Sequence, residues 1–279
     1  MAEYDSEPML SNDPNLIEVM TRAGLRAADA LHDAARRRER LEVHEKGVAD
    51  FVSSADLRAE EILRDDLSHA FPDHDFMMEE SAPAERGPAR ARFIVDPLDG
   101  TTNFIRGIPH FAVSIARELD GVVTHGVVVD VARREVFSAV RGGGGFVDSE
   151  RMATSREIDP SRMVVGTGIP HRGRGDHAKY LEALGNVMRE VAGIRRMGAA
   201  ALDLAYVAAG RFDAFFETGL APWDVAAGML LVQEAGGVVT RTNGGETRLS
   251  GDVLASSSRV THDAMLGRLT PLHRRVAGS

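Results

Sequence analysis

The chain contains no cysteine in 279 residues. Disulfides, thiolate nucleophiles, iron–sulfur clusters and cysteine-based zinc sites are therefore excluded. A chain without disulfides suits a reducing cytoplasm. Positive charge is also short: 33 Lys and Arg stand against 42 Asp and Glu, a formal net charge of -9. Such a field does not draw nucleic acid or anionic membrane, so nucleic acid is not an expected partner. An anionic substrate would need local help, from a cation or from oriented backbone N–H groups. No apolar run reaches membrane-spanning length; the longest, Val225 to Val232, is interrupted by Gly228 and soon meets Gln233 and Glu234. The first residues, Met1-Ala-Glu-Tyr-Asp5, lack the apolar stretch of a secretory signal. A soluble, cytoplasmic protein is expected. The ten His show no paired ligand spacing, so a His-based zinc site is not expected either.

What is present is a patterned core, 43% hydrophobic residues, enough for one extended unit or two joined halves. Apolar residues recur at helical spacing from Asp13 to about Arg40, and a second helix is predicted from Asp56 to His69, opened by Ser53-Ser54-Ala55. Ala91 to Asp96 reads as a buried strand, and 111–118, 121–130 and 134–140 as antiparallel strands on short turns. Beyond it helix and strand alternate. Strands are predicted at 163–167, 212–216, 238–240 and 253–256, and helices at 175–191, 199–209, 224–234 and 261–269. The Phe212-Asp-Ala-Phe-Phe216 stripe reads as core. The run Gly142–Gly145 reads as a flexible β connection rather than a phosphate cradle, because no helix start or Lys follows it. No internal repeat is evident. The expected organisation is a single unit over 13–270, with an N-terminal half (13–155) of helices plus antiparallel sheet and a C-terminal α/β half (156–270).

The segment Ile94-Val-Asp96-Pro-Leu-Asp99-Gly-Thr101-Thr102-Asn-Phe104 carries the chemistry. A buried strand runs into two carboxylates three residues apart. Pro97 stiffens the backbone between them, Gly100 permits a tight turn, and Thr101 or Thr102 could cap a short helix. Carboxylate oxygens suit a hard divalent cation. N–H groups at a helix start suit an anion. Two further acidic groups stand elsewhere: Glu79-Glu80-Ser81, and Asp224 beside the chain's only Trp, Trp223, which implies a fixed, partly buried position.

With these residues in view, the sequence resembles the inositol monophosphatase family, its bacterial branch above all. The resemblance rests on Asp50-Phe-Val-Ser-Ser-Ala-Asp56, Glu79-Glu80-Ser81, Asp96 to Phe104 and Pro222-Trp-Asp-Val-Ala-Ala-Gly228, with Gly107 to Ser114 and Leu202 to Gly210 pointing to the bacterial branch. It implies an αβαβα sandwich of layered helices and sheets and a lithium-sensitive, Mg²⁺-dependent phosphatase of small phosphate monoesters, with inositol-1-phosphate as substrate and a homodimer as assembly. Two to three Mg²⁺ ions are implied, with Mn²⁺ as a substitute. The first would lie on Glu79, Asp96 and the Leu98 carbonyl; the second on Asp96, Asp99 and Asp224. Asp56 would orient the Thr101 hydroxyl, and Thr101 with Glu79 would position the attacking water. Gly100, Thr101 and Thr102 would bind phosphate. Gly198, Ala199 and Ala200 would line the pocket, and Glu217 would meet substrate hydroxyls. Family alternatives are fructose-1,6-bisphosphate, histidinol phosphate or 3′-phosphoadenosine 5′-phosphate as substrate, or a non-catalytic regulator tied to RNA or transcription.

Two positions depart from the family pattern. Met78 stands where a Gly is usual, and Ala199 replaces a frequent hydroxyl residue. If the turn before Glu79 needed Gly-only angles, Met78 would shift it. Lys46 lies where a mobile basic residue is frequent. His171 and Arg195-Arg196 are expected to serve the surface and the layer packing rather than the pocket.

Overall fold

The structure, a computed structural model, describes residues 15–47, 50–81, 90–170, 173 and 175–274, with residue 50 described by its backbone alone. The first helix, α1 (Leu16–Ala35), buries Leu16, Met20, Ala23, Ala27 and Leu31, a stripe at three- and four-residue spacing. A hairpin of β1 (Val43–Gly47) and β2 (Asp50–Ser53) leads into α2 (Ser54–Ala70). Ser53 caps α2: its hydroxyl accepts the Ala55 N–H, and Asp56 returns a bond to the Ser53 N–H, closing a capping box.

Seven strands follow in sheet order: β3 (Asp75–Met78), β4 (Ala91–Asp99), β5 (Ala112–Leu119), β6 (Val122–Asp130), β7 (Glu135–Val140), β8 (Gly144–Val147) and β9 (Glu150–Arg151). Only the β3–β4 pair is parallel; the rest form an antiparallel meander. A short helix, α3 (Thr101–Arg106), separates β4 from β5. The strands predicted at 111–118, 121–130 and 134–140 lie within a residue of their expected places, whereas the one predicted at 91–96 runs on to Asp99. The hairpin of β1 and β2 had no sequence expectation, because β1 is exposed along its length and carries no alternating apolar pattern.

The second sheet has five strands in the order β11 (Gly193–Arg195), β10 (Val164–Thr167), β12 (Ala214–Leu220), β14 (Gly251–Ser256), β13 (Val238–Thr240). It is parallel at β10–β11 and β10–β12 and antiparallel beyond. The helices of this half are α4 (His177–Met188), α5 (Ala200–Ala208), α6 (Pro222–Glu234) and α7 (Arg259–Leu269).

Three buried clusters define the layers. One joins α1 and α2 to one face of the seven-stranded sheet. A second sandwiches α5 and α6 between the two sheets. The third packs α4 and α7 on the outer face of the five-stranded sheet. The order is helix, sheet, helix, sheet, helix, the αβαβα sandwich expected. Helices α5 and α6 are buried on nearly every side, which explains why they show Ala, Gly and Leu with little polar face. The Gly142–Gly145 run is a β connection: the Gly142 and Gly144 N–H groups bind the Glu234 carboxylate, both at 2.9 Å, so its donors serve α6. Among the described residues no helix is long and apolar enough to cross a membrane.

Candidate active site

The centre of the site is the end of β4. Asp96 pairs with Ser114 and Asp99 with Ala112, so β4 carries one extra residue against β5. Residues three apart on a regular strand face opposite sides. The bulge turns both carboxylates toward one acidic cluster, and Pro97, which has no N–H, sits within it at no cost to the ladder. The strand thus reaches Asp99 instead of ending at Asp96 as expected. The Leu98 N–H donates to Asp96 Oδ1 at 2.9 Å, fixing that side chain. Gly100 then takes φ 91° and ψ 36° and becomes the N-cap of α3. Thr101 and Thr102 are therefore the first helical residues, not caps. A Cβ at Gly100 would lie 3.1 Å from the His110 carbonyl and 3.3 Å from Ala199 Cβ, so both backbone angle and space demand glycine.

The Thr101 hydroxyl lies 2.9 Å from Asp56 Oδ1 and 3.1 Å from the Leu98 carbonyl. Asp56 is fully buried, and its other oxygen receives the Ser53 N–H and hydroxyl. One capping residue of α2 therefore also holds the first residue of α3. Glu79 follows β3, with its N–H bound to the Val95 carbonyl at 3.2 Å. Met78 before it is an ordinary strand residue, paired with Val95, 1% exposed and without positive φ. The feared distortion of the turn is absent there, because the backbone at 78 asks nothing of glycine.

From the other half, Asp224 is the third residue of α6, where it accepts the Ala221 N–H at 2.7 Å. Trp223 beside it is half-buried, as expected. Asp99 accepts the Ala201 N–H at 2.7 Å at the start of α5. Asp96, Asp99 and Asp224 thus each commit one oxygen to a backbone N–H, which aims the carboxylates without neutralising them.

The electrostatics are severe. Burial pushes the Glu79 carboxyl up to about 7 and the Asp99 carboxyl up to about 8. Asp96 is raised as well, first by burial and then by the charges of Glu79, Asp99 and Asp224. Asp56 is raised by burial, against the bonds from Ser53 and Thr101. Lys46 reaches the cluster from β1, 2.5 Å from Glu80 and 3.7 Å from Glu79.

A cleft of about 530 Å³ opens over these groups. Glu79, Asp99, Gly100, Thr101, Thr102, Gly198, Ala200, Glu217 and Asp224 line it. Asp56 and Asp96 sit beneath the wall. Ala199 does not line the cleft: it is 1% exposed and packs behind Gly100. The missing hydroxyl at 199 therefore removes nothing from the cleft surface. Glu217 is raised to about 8, by burial first and then by Asp203 and Asp224. Its carboxyl lies flat on Gly168, where a Cβ would come within 1.8 Å. Arg196 also lines the cleft, whereas Arg195 is exposed and bonds the Ile194 carbonyl. His171 lies outside the described residues.

Sequence reasoning overlooked the His110–Asp203 pair. Both side chains are almost wholly buried, with His110 Nε2 3.4 Å from Asp203 Oδ1. Burial lowers His110 to about 4 and raises Asp203. The available signal was a single acid in the otherwise apolar helix Ala200–Ala208. The apolar wall of Phe51, Ile169, Pro170 and Leu220 was also missed.

The fold and this cleft define a layered α/β protein with a site built from carboxylates, and comparison with known proteins gives its class. A model of the inositol monophosphatase family matches residues 13–273. The chain belongs to that family, and it is a phosphoric monoester hydrolase. It is 47% identical to the inositol-1-monophosphatase of Mesorhizobium japonicum over 90% of this chain and 94% of that protein. It is 40% identical to the Nus factor SuhB of Escherichia coli K12, covering 91% of this chain and 95% of the relative. The crystal structure of the extragenic suppressor protein suhB from Bartonella henselae superposes with a TM-score of 0.88 at 45% identity, covering 91% of this chain and 98% of that one.

Proposed function

We propose that the chain hydrolyses inositol-1-phosphate to inositol and phosphate in a Mg²⁺-dependent reaction. The observation that carries this reading is the convergence of Glu79, Asp96, Asp99 and the Asp56–Thr101 pair at one end of an open cleft. The donor set fits a hard divalent cation: every candidate atom is a carboxylate or carbonyl oxygen. Among the described residues no three His, Asp or Glu side chains stand as a finished ligand group. Lys46 stands among these acids, 2.5 Å from Glu80 and 3.7 Å from Glu79.

Glu79, Asp96, the Leu98 carbonyl, Asp99 and Asp224 would hold two to three Mg²⁺ ions, with Mn²⁺ as a substitute. When bound, the ions supply charge to the phosphoryl oxygens and make water more acidic. The rest falls to the chain. Asp56 holds the Thr101 hydroxyl toward the cluster. Thr101 and Glu79 orient the attacking water and take its proton. The first N–H groups of α3, at Thr101 and Thr102 after Gly100, have no intrahelical acceptor and face the phosphate. Glu217 accepts hydrogen bonds from the hydroxyls of the leaving polyol.

The test is a panel of phosphate monoesters assayed with and without Mg²⁺ and ranked by kcat/KM. Inositol-1-phosphate should lead by about tenfold or more, a transition-state preference of about 1.4 kcal/mol. A flat ranking would defeat the inositol assignment. A second reading draws on the SuhB relative, named a Nus factor: a binding role beside catalysis. A specific pull-down of partners that survives Asp96→Asn would support it.

A further inference from the structure

Helix α2 presents two buried acids one turn apart, Asp56 and Glu60, at the i,i+4 spacing that puts both on one face. Asp56 is accounted for by Thr101. Glu60 is only 6% exposed, on a helix whose other buried positions are apolar apart from Asp56. Burying a carboxylate is costly unless its oxygens are bonded. Both oxygens of Glu60 are bonded, and both to the same short segment. Oε2 accepts the Glu80 N–H at 3.0 Å, and Oε1 accepts the Ser81 hydroxyl. Arg64, one turn further along, donates to Ser81 Oγ at 2.8 Å and lies over the Phe76 ring of β3.

Glu79 is therefore held from both sides. Before it, β3 is zipped to β4, and its own N–H binds Val95. After it, the chain is tied to α2 through Glu80 and Ser81. We propose that Glu60 is a positioning residue for the metal site: by clamping the segment that follows Glu79, it sets the Mg²⁺ affinity of the site without touching substrate. The proposal rests on the reading of Glu79 as a Mg²⁺ ligand. It separates binding from turnover, because a looser Glu79 costs metal affinity and leaves the chemistry of the filled site in place.

The test uses the full chain and two readouts: the Mg²⁺-dependent shift of the thermal midpoint without substrate, and kcat and KM for inositol-1-phosphate across a Mg²⁺ titration. Glu60→Ala should raise the Mg²⁺ concentration for half-maximal effect in both by about tenfold or more, the usual consequence of removing support behind a metal ligand. Its kcat at saturating Mg²⁺ should stay within about twofold of the parent. Glu60→Gln keeps an acceptor for the Glu80 N–H and a donor for Ser81, and should recover most of the affinity. Ser81→Ala removes one of the two bonds and should fall between. An unchanged Mg²⁺ requirement in Glu60→Ala, or a loss of kcat that saturating Mg²⁺ does not restore, overturns the proposal. If Glu60→Ala fails to fold, Ser81→Ala decides: a parental Mg²⁺ requirement overturns the proposal. Asp96→Asn is run in parallel. If it keeps the full Mg²⁺-dependent midpoint shift, the metal reading fails and the proposal falls with it. If it loses the shift while Glu60→Ala keeps a parental one, only the positioning claim falls.

Discussion

The Asp99 carboxylate accepts the backbone N–H of Ala201 at 2.7 Å, joining the end of β4 to the first turn of α5 across the two halves of the sandwich. The helix start therefore answers a carboxylate of the chain itself. It also orients one of the cleft's acids from the opposite layer. Asp99→Ala removes this buried bond and should destabilise the fold by about 1–3 kcal/mol, besides abolishing activity. Asp99→Asn keeps an oxygen for the Ala201 N–H. It should melt close to the parent while losing most turnover. Thermal unfolding of both variants, beside phosphate release, checks the split.

The Asp56–Thr101 bond makes a second prediction. Thr101→Ala leaves Asp56 buried with its Ser53 bonds and removes the hydroxyl from the cleft. The expected outcome is a fall in kcat of about 10²-fold or more with KM little changed, as for loss of a group that acts in the transition state. Thr101→Ser retains the hydroxyl and should recover most of the rate. Equal KM and kcat effects in the two variants would contradict the role.

These two contacts differ in how far the sequence betrayed them. Asp96, Pro97, Asp99, Gly100 and Thr101 are neighbours along the chain, and their order alone marks a strand ending in an acidic turn. Asp56 was legible as a helix start. Its bond to Thr101, 45 residues away, was legible only through the family resemblance. The His110–Asp203 pair and the Glu60 clamp join segments that no local pattern links. The β-bulge at Pro97 was unreadable for another reason: an extra residue is defined only against its partner strand. The concern over Met78 failed because a strand, not a turn, occupies that position. The outer layer was readable, since the apolar period of α1 reports its buried face; β5 and β6 are buried on both faces, so their place at the middle of the sandwich had no alternating pattern to mark it.

Proton linkage gives a third prediction. Without Mg²⁺, Glu79 at about 7, with Asp99 and Glu217 at about 8, stay partly protonated in the folded state near neutrality. Unfolded, these carboxyls titrate near 4 to 4.5. Between those limits the folded state binds more protons, so stability falls as pH rises through 7 and 8. On the proposed reading a bound cation would take the place of the lost protons. In EDTA the thermal midpoint should therefore drop from pH 6 to pH 8.5, and the Mg²⁺-induced rise should be larger at pH 8.5. A Mg²⁺ effect independent of pH would show that these carboxyls do not form the ion site.

Gly168 sits against the Glu217 carboxyl, and no side chain fits between them. Gly168→Ala must displace Glu217. If Glu217 meets the polyol, KM for inositol-1-phosphate should rise by about tenfold, a loss of about 1.4 kcal/mol of substrate binding. Hydrolysis of a small ester without ring hydroxyls should change little. A uniform loss over both substrates would place Glu217 outside the polyol contact.

Asp96 is the carboxylate on which the account turns, since its interactions reach Glu79, Asp99 and Asp224 together. The decisive measurement is phosphate release from inositol-1-phosphate by Asp96→Asn at saturating Mg²⁺, with far-UV circular dichroism as a control for folding. The account predicts a folded protein whose kcat is reduced by about 10³-fold or more, the scale of losing about 4 kcal/mol of transition-state stabilisation. A folded variant that releases phosphate at near the parent rate would contradict it.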